Sequence, residues 1–180
     1  MIEFSELLIE SVEDYNKLYE CVGKEAIDEQ AVDTLKKFLG TKCNRIVVEY
    51  PYHDKDFLST YYCYYSQKFR GFPKKCYRLH IMGEDEKYFG YIVLRPTVKG
   101  TRLGTTYLSP QPLLDEETYL MLAKYEAHIM DNKRDIKCFP WMKQEVDIAV
   151  CAHVAAWTIL RYYGNKYHNY ADTTMGVIAQ

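Results

Sequence analysis

Cys151 and Gln144 are the residues of this sequence whose types and spacing best fit a chemical reaction. Cys151 opens a run without Gly or Pro that continues to Tyr163, and small alanines in this run alternate with bulky side chains such as Trp157. Gly164 follows the run, in a position where glycine commonly ends a helix. The pattern therefore predicts a buried helix that begins at or near Cys151 and stops at Gly164.

The start of a helix suits a reactive cysteine. The positive end of the helix dipole stabilises a thiolate, which is the nucleophilic form of cysteine. Unpaired backbone N–H groups at the same end, including that of Cys151, point to where an oxyanion would form during attack on a carbonyl group. A side-chain amide such as that of Gln144, a short loop away, would complete an oxyanion hole. The chemistry that these two residues predict is nucleophilic attack by a thiolate.

This combination resembles a known family. A glutamine, a short loop and a cysteine that opens an apolar helix are typical of papain-like cysteine peptidases. The ending Ile-Leu-Arg-Tyr-Tyr-Gly is similar to that of the bacteriocin-processing (double-glycine leader) peptidases and related bacterial proteins. The resemblance covers residues 139–164 and implies that Cys151 is the nucleophile and Gln144 the oxyanion donor. Two positions depart from the family pattern: Gln144 lies one residue farther from the cysteine than usual, and Ala152 replaces a common glycine.

The histidine that acts as general base in this family, and the Asn or Asp that orients it, follow the cysteine well downstream. Only residues 152–180 follow Cys151 here, so we expect an apparently truncated peptidase domain that lacks its base. His153 lies two positions from Cys151 and therefore faces another side of the helix. His168 would serve only if the loop after the helix doubled back. The remaining histidines precede the cysteine, which is the wrong order for this family: His53, His80 and His128.

A structural role for Cys151 is the alternative interpretation. Free cysteines are among the most buried residue types, and a lone cysteine on an apolar helix usually belongs to the core. In that interpretation His153 is a hydrogen-bonded residue on the polar side of the helix. Asp147 is then a candidate helix cap, and Trp141 and Trp157 are core residues.

The fold class that the sequence predicts is α+β. Residues 1–138 are predicted to form an N-terminal mixed helix and sheet unit, and residues 139–180 the first part of a papain-like domain with the cysteine helix at its centre. Helical spacing of apolar residues predicts two N-terminal helices. One runs from about Ser5 to Cys21, and the other runs from an N-cap at Asp28 to Gly40.

Segments after the second helix are short and rich in β-branched and aromatic residues, which favours strands. The predicted strands are Arg45–Tyr50, Cys76–Met82, Tyr88–Leu94 and Arg102–Leu108. The second and third of these flank a turn-like Gly83–Glu86 segment and therefore predict a β-hairpin. Asp54 to Phe69 is predicted to be a helix that starts from an Asp54 cap, with a strand as the alternative. Tyr119–Met130 and Asp135–Trp141 predict a second hairpin, with a helix over the first part as the alternative.

Composition excludes several functional classes. Lys and Arg number 23 against 25 Asp and Glu, so the net charge of −2 does not favour nucleic acid as a partner. The run Ile148–Leu160 is too short to span a membrane, and the N-terminus has no secretory signal pattern. Six dispersed cysteines without a CxxC pair predict free thiols in a cytoplasmic protein, with no metal and no cofactor.

These observations give three functional hypotheses. The first is a cysteine peptidase acting on a peptide or protein substrate, with this sequence alone inactive for want of a base. The second is a non-catalytic peptide-binding or structural domain on the same fold. The third is single-stranded nucleic-acid binding by alternating aromatic and basic residues. Those residues are Tyr61, Tyr62, Tyr64, Tyr65, Lys68, Phe69, Arg70, Lys74, Lys75 and Arg78.

Overall fold

The structure is a computed structural model that describes residues 2–96, 102–110, 114, 119–144 and 151–180. Within these ranges, the chain forms seven strands, five α-helices and four short 3-10 helices. In chain order they are β1 (Glu3–Leu8), α1 (Leu18–Val22), α2 (Glu29–Leu39), β2 (Arg45–Tyr52), α3 (Lys55–Cys63), β3 (Cys76–Met82), β4 (Tyr88–Leu94), β5 (Leu103–Leu108), β6 (Ala123–Ile129), β7 (Asn132–Cys138), α4 (Cys151–Lys166) and α5 (Met175–Ile178). The predicted α+β class is confirmed.

The strands form two antiparallel sheets. Strands β1 to β5 lie in chain order in one five-stranded sheet, and β6 pairs with β7 in a separate hairpin. The predicted hairpin of β3 and β4 has the predicted bounds, Cys76–Met82 and Tyr88–Leu94. The second predicted hairpin is also present, although its turn lies at Met130 and Asp131, slightly before the predicted position.

The predicted helix from Ser5 to Cys21 is wrong over its first half. Residues Glu3–Leu8 form an edge strand that pairs with β2, and only Leu18–Val22 is α-helical. Pairing with β2 gives the backbone of this segment regular hydrogen bonds, and it buries Leu7 while the neighbouring Leu8 stays exposed. A few apolar residues fit both periods over so short a segment, so the neighbouring strand decides the conformation.

The starts of α2 and α3 agree with the caps predicted from sequence. The Asp28 carboxylate accepts the backbone N–H of Ala31 at 2.8 Å, and the Asp54 carboxylate accepts that of Phe57 at 2.8 Å. Gly40 follows α2 with a φ of +52°, which favours glycine. Helix α3 is shorter than predicted, because the chain leaves the helical conformation after Cys63.

Alternate residues of the five-stranded sheet face two hydrophobic clusters. Helices α1 and α2 cover one face, where buried side chains such as Leu35, Ile46 and Leu79 pack together. Helix α3, the β6–β7 hairpin and α4 cover the other face, and there Tyr91 and Tyr125 are buried. The segment that carries Cys151 is therefore built onto the second face of the sheet.

Helix α4 differs from the prediction in its end and in its burial. It continues through Gly164 to Lys166, and the chain beyond it folds back so that the Ala171 carbonyl would lie 3.2 Å from a Cβ at Gly164. One side of the helix is buried, whereas Ile159 and Leu160 remain exposed. Neither α4 nor any other helix in the described ranges has the length and apolarity needed to cross a membrane.

Candidate functional site

Cys151 and Gln144, the candidate residues from the sequence, lie in contact. The Cys151 thiol donates a hydrogen bond to Gln144 Oε1 at 2.6 Å, and both side chains are exposed. Cys151 is the first described residue of α4, and residues 145–150, which include the candidate cap Asp147, lie outside the described residues. The pair is therefore open to a substrate, and Cys151 is not sealed in the core.

The Gln144 amide can serve either protonation state of Cys151. A thiol donates its proton to Oε1, whereas a thiolate has no proton and accepts from Nε2 after the amide turns by half a rotation. The same N–H group can donate to an oxyanion that forms on a carbonyl carbon bonded to the Cys151 sulfur. This arrangement supports nucleophilic attack followed by stabilisation of the tetrahedral intermediate.

The histidines are not arranged as partners of Cys151. Within the described residues, no histidine is hydrogen-bonded to the Cys151 sulfur. His153 is half-buried, and its Nδ1 is buried without a hydrogen-bond partner in the described part of the chain, so the predicted bonded role is wrong for that nitrogen. Trp157 is fully buried as predicted, whereas Trp141 is 39% exposed and is not a core residue.

His80 belongs instead to a buried polar network on β3. His80 Nε2 lies 3.0 Å from Glu49 Oε2, and His80 Nδ1 lies 2.7 Å from the Tyr88 hydroxyl. Arg78 Nε donates to the same Glu49 oxygen at 2.6 Å. Burial lowers the pKa of His80 against the opposing effect of Glu49, which favours a neutral ring that donates to Glu49 and accepts from Tyr88. The network joins β2, β3 and β4, and its histidine is sealed from solvent.

A buried ionic junction fixes the middle of α4 to α3. The Asp56 carboxylate accepts from Trp157 Nε1 and Arg161 at 2.8 Å each, and from the Met175 backbone N–H at 3.2 Å. Arg161 also contacts Asp172 at 2.7 Å. Sequence reasoning did not identify this junction, although an arginine on the apolar run of α4 was a signal, because a buried arginine requires a partner.

Asp54, the cap of α3, is buried beside this junction. Its Oδ1 accepts from the Phe57 backbone N–H and, at 3.2 Å, from the Thr105 hydroxyl. Burial and the neighbouring Asp56 raise the pKa of Asp54 to about 6. This carboxyl group therefore changes its protonation state between mildly acidic and neutral pH.

A cavity of about 470 Å³ lies between α4, β6 and the second face of the sheet. A row of tyrosine rings forms its floor: the centroids of Tyr91 and Tyr107 lie 5.3 Å apart, and those of Tyr107 and Tyr125 lie 4.7 Å apart. Arg161 of α4 and Glu126 of β6 contribute to its walls. None of these residues was singled out as a site in the sequence, because they come from four separate segments.

The aromatic and basic residues of the nucleic-acid hypothesis differ in their exposure. Tyr65 is buried, and Lys74 Nζ lies 4.8 Å from the ring centroids of Tyr61 and Tyr62. Arg78 is bound to Glu49 in the interior. The absence of nucleic acid as a partner stays a prediction from the sequence.

Within the described residues, no group of three or more His, Cys, Asp or Glu side chains is placed to hold a metal ion. The contact between Cys151 and Gln144 is the arrangement of described residues that best fits a chemical reaction. Comparisons of the chain with protein-family models, with curated proteins and with solved structures found no match.

Proposed function

We propose that the protein is a thiol hydrolase of peptide bonds, a papain-like cysteine peptidase in which Cys151 is the nucleophile and Gln144 stabilises the oxyanion. The observation that carries the proposal is the 2.6 Å contact between the Cys151 sulfur and Gln144 Oε1 on exposed side chains. A cytoplasmic location belongs to the proposal as well, because a reducing compartment keeps such a thiol free.

The proposed reaction begins when the Cys151 thiol gives its proton to water and the thiolate sulfur bonds to the carbonyl carbon of a peptide. The electron pair of the C=O π bond moves to oxygen, where the Gln144 amide donates a hydrogen bond. Collapse of this intermediate breaks the C–N bond, leaves a thioester on Cys151 and requires a proton for the departing amine. Water then hydrolyses the thioester and restores the thiol.

Protonation of the amine is the step that the described residues support least. A histidine supplies this proton in the family that the sequence resembles, and no described histidine is hydrogen-bonded to Cys151. General acid catalysis typically contributes on the order of 10²- to 10⁴-fold. We therefore expect this chain to form an acyl-enzyme readily from an ester with a good leaving group and to cleave amide bonds slowly.

A non-catalytic peptide-binding or structural domain is the second candidate. The observation that favours it is the same missing contact between Cys151 and a described histidine, combined with the firm attachment of α4 through Asp56 and Arg161. In that case Cys151 would be an exposed cysteine with no catalytic role.

The test is an acylation experiment with p-nitrophenyl esters of short N-acetylated peptides, because nitrophenolate leaves without a proton donor. We expect a burst of about one nitrophenolate per chain that is absent from Cys151→Ala. Gln144→Ala should slow the burst at least tenfold, since loss of one oxyanion donor can cost about 10²-fold or more. Cys63→Ala, which removes a half-buried cysteine elsewhere, is the matched control and should keep the burst.

The result decides between the two candidates. A burst that depends on Cys151 and Gln144, followed by slow amide cleavage, supports the peptidase with an incomplete proton pathway. A burst that is unchanged in Cys151→Ala, or no burst with any ester, overturns the proposed reaction.

A further inference from the structure

Strand β6 presents a free edge to the cavity. In an antiparallel pair, backbone groups of alternate residues point toward the partner strand and those of the intervening residues point away. The carbonyl groups of Lys124 and His128 point away from β7, since Asn165 and Arg78 donate to them at 2.6 and 2.7 Å. Glu126 lies two residues from both Lys124 and His128, so its N–H and C=O groups also point away from β7. Within the described residues, neither group has a hydrogen-bond partner.

Two tyrosines that are mostly buried line the same cavity. Tyr91 and Tyr107 are only 9% and 6% exposed, and within the described residues neither hydroxyl has a hydrogen-bond partner. Tyr125, the third member of the row, donates to the Arg161 carbonyl at 3.4 Å. The hydroxyls of Tyr91 and Tyr107 can therefore donate to, and accept from, a molecule that enters the cavity.

Charged side chains around the cavity are paired with one another. Each cation on its wall has a carboxylate partner, and Glu126 has a lysine partner. The pairs are Lys55–Asp172, Arg161–Asp172, Lys124–Asp135 and Lys133–Glu126. Because these charges are compensated, the cavity favours an uncharged ligand with hydrogen-bond donors and acceptors. A peptide backbone has that chemistry, and it is the natural partner of a free strand edge.

We propose that this cavity binds a short peptide in an extended conformation, which adds to the edge of β6 at Glu126 and contacts the hydroxyls of Tyr91 and Tyr107. Asn165 and Arg78 close the edge two residues to either side, so the pairing extends over about three peptide residues. Arg161 lies ten residues after Cys151, or about 15 Å along α4. The site is therefore separate from the thiol, and it can bind peptide whether or not Cys151 is catalytic.

The test measures binding of a fluorescent library of uncharged N-acetyl tetrapeptide amides by anisotropy, in a Cys151→Ala chain so that no acylation occurs. We expect saturable binding that changes little with salt. Glu126→Pro removes the edge N–H and should weaken binding about tenfold. Lys137→Pro is the matched control, because Lys137 lies opposite Lys124 on β7 and its N–H likewise points away from β6. That variant should bind as the parent chain does.

Hydroxyl deletions give an independent measurement. Tyr91→Phe and Tyr107→Phe keep the rings, and each should weaken binding by about threefold to tenfold. These two tyrosine variants test the peptide site on their own if either proline variant fails to fold. The proposal is overturned if no library member binds, or if binding survives both Glu126→Pro and the two hydroxyl deletions. Peptide binding without an ester burst would overturn the proposed hydrolase reaction and support this peptide site. An ester burst without peptide binding would support the hydrolase reaction and overturn the peptide site.

Discussion

Cys151 and Arg161, which lie ten residues apart on α4, differ in burial and in the number of their hydrogen-bond partners. At Cys151 the side chain is exposed and hydrogen-bonded to one other exposed residue, Gln144. At Arg161 the side chain is buried and bonded to Asp56, Asp172 and the Thr173 carbonyl. One helix thus combines a loosely held reactive group with a tightly held anchor.

The difference shows where stability and chemistry reside in this segment. A buried ion pair that loses one partner leaves an uncompensated charge away from water, so the anchor is costly to change. An exposed thiol and amide lose little when they are replaced, because water takes over their hydrogen bonds. The geometry predicts that stability and reactivity can be changed separately along α4.

The largest expected effect comes from Asp56→Ala. This change leaves Arg161 and the Trp157 N–H without their carboxylate, and we expect the free energy of unfolding to fall by about 3 to 5 kcal/mol. Urea denaturation measures the change. Lys55→Ala, a neighbouring change in an exposed ion pair, is the control and should have little effect. Equal losses in the two variants would show that the junction is not an anchor.

A double variant sharpens the same point. Asp56→Leu combined with Arg161→Met removes both charges and replaces them with apolar side chains. Because a buried ion pair is often no more stable than a well-packed apolar pair, the double variant should recover much of the stability that Asp56→Ala loses. No recovery would indicate that the other partners of Asp56, chiefly the Met175 N–H, dominate the junction.

Asp54→Asn should produce a pH-dependent effect of intermediate size. The pKa of Asp54 is raised from 3.8 to about 6, so the folded state binds the proton more tightly than the unfolded state does. Its contribution to stability is then complete below about pH 4 and is lost as the pH rises through 6. At about 1.4 kcal/mol per unit of pKa shift, the full contribution is about 3 kcal/mol. Because the unfolded carboxyl group is already partly ionised at pH 4, the difference between wild type and Asp54→Asn should change by about 2.5 kcal/mol between pH 4 and pH 7.5, in favour of Asn.

Asparagine suits this experiment because its side-chain oxygen can accept from the Phe57 N–H and the Thr105 hydroxyl, as Asp54 Oδ1 does. Urea denaturation of both proteins at several pH values gives the difference. A difference that stays constant from pH 4 to pH 7.5 would mean that Asp54 does not titrate in this range.

The smallest effects on stability are expected at the other end of the helix. Cys151→Ala and Gln144→Ala should each change the free energy of unfolding by no more than about 0.5 kcal/mol, since both side chains are exposed. The same denaturation experiment applies. A loss of several kcal/mol in Cys151→Ala would assign this cysteine a structural role and would weaken the comparison between the two ends.

Local signals made part of this structure predictable from sequence. The caps at Asp28 and Asp54 and the β3–β4 hairpin depend on neighbouring residues, and the contact between Gln144 and Cys151 spans a short loop. What sequence could not supply were the contacts between distant segments. Strand β1 is stabilised by pairing with β2, which lies about 40 residues later in the chain. The periodicity of the first 21 residues carries no information about that partner.

The missed parts of the site have the same cause. Asp56 and Arg161 are separated by 105 residues, and no local pattern joins them. The cavity is lined by Tyr91, Tyr107 and Glu126, which belong to three different strands. The two tyrosine hydroxyls and the Glu126 backbone come together only when the β6–β7 hairpin packs on the sheet. A buried arginine in α4 indicated that some acidic partner exists, but not which one.

The separation of Asp56 from Arg161 also has a consequence for synthesis on the ribosome. All five strands of the larger sheet are complete by Leu108, long before Arg161 leaves the exit tunnel. At 5 to 20 residues per second, the 105 residues between the two partners take about 5 to 20 seconds to translate. During that interval the hydrogen-bond donors that Asp56 has in the folded protein, on Trp157, Arg161 and Met175, are not yet available, so this carboxylate stays hydrated until α4 arrives.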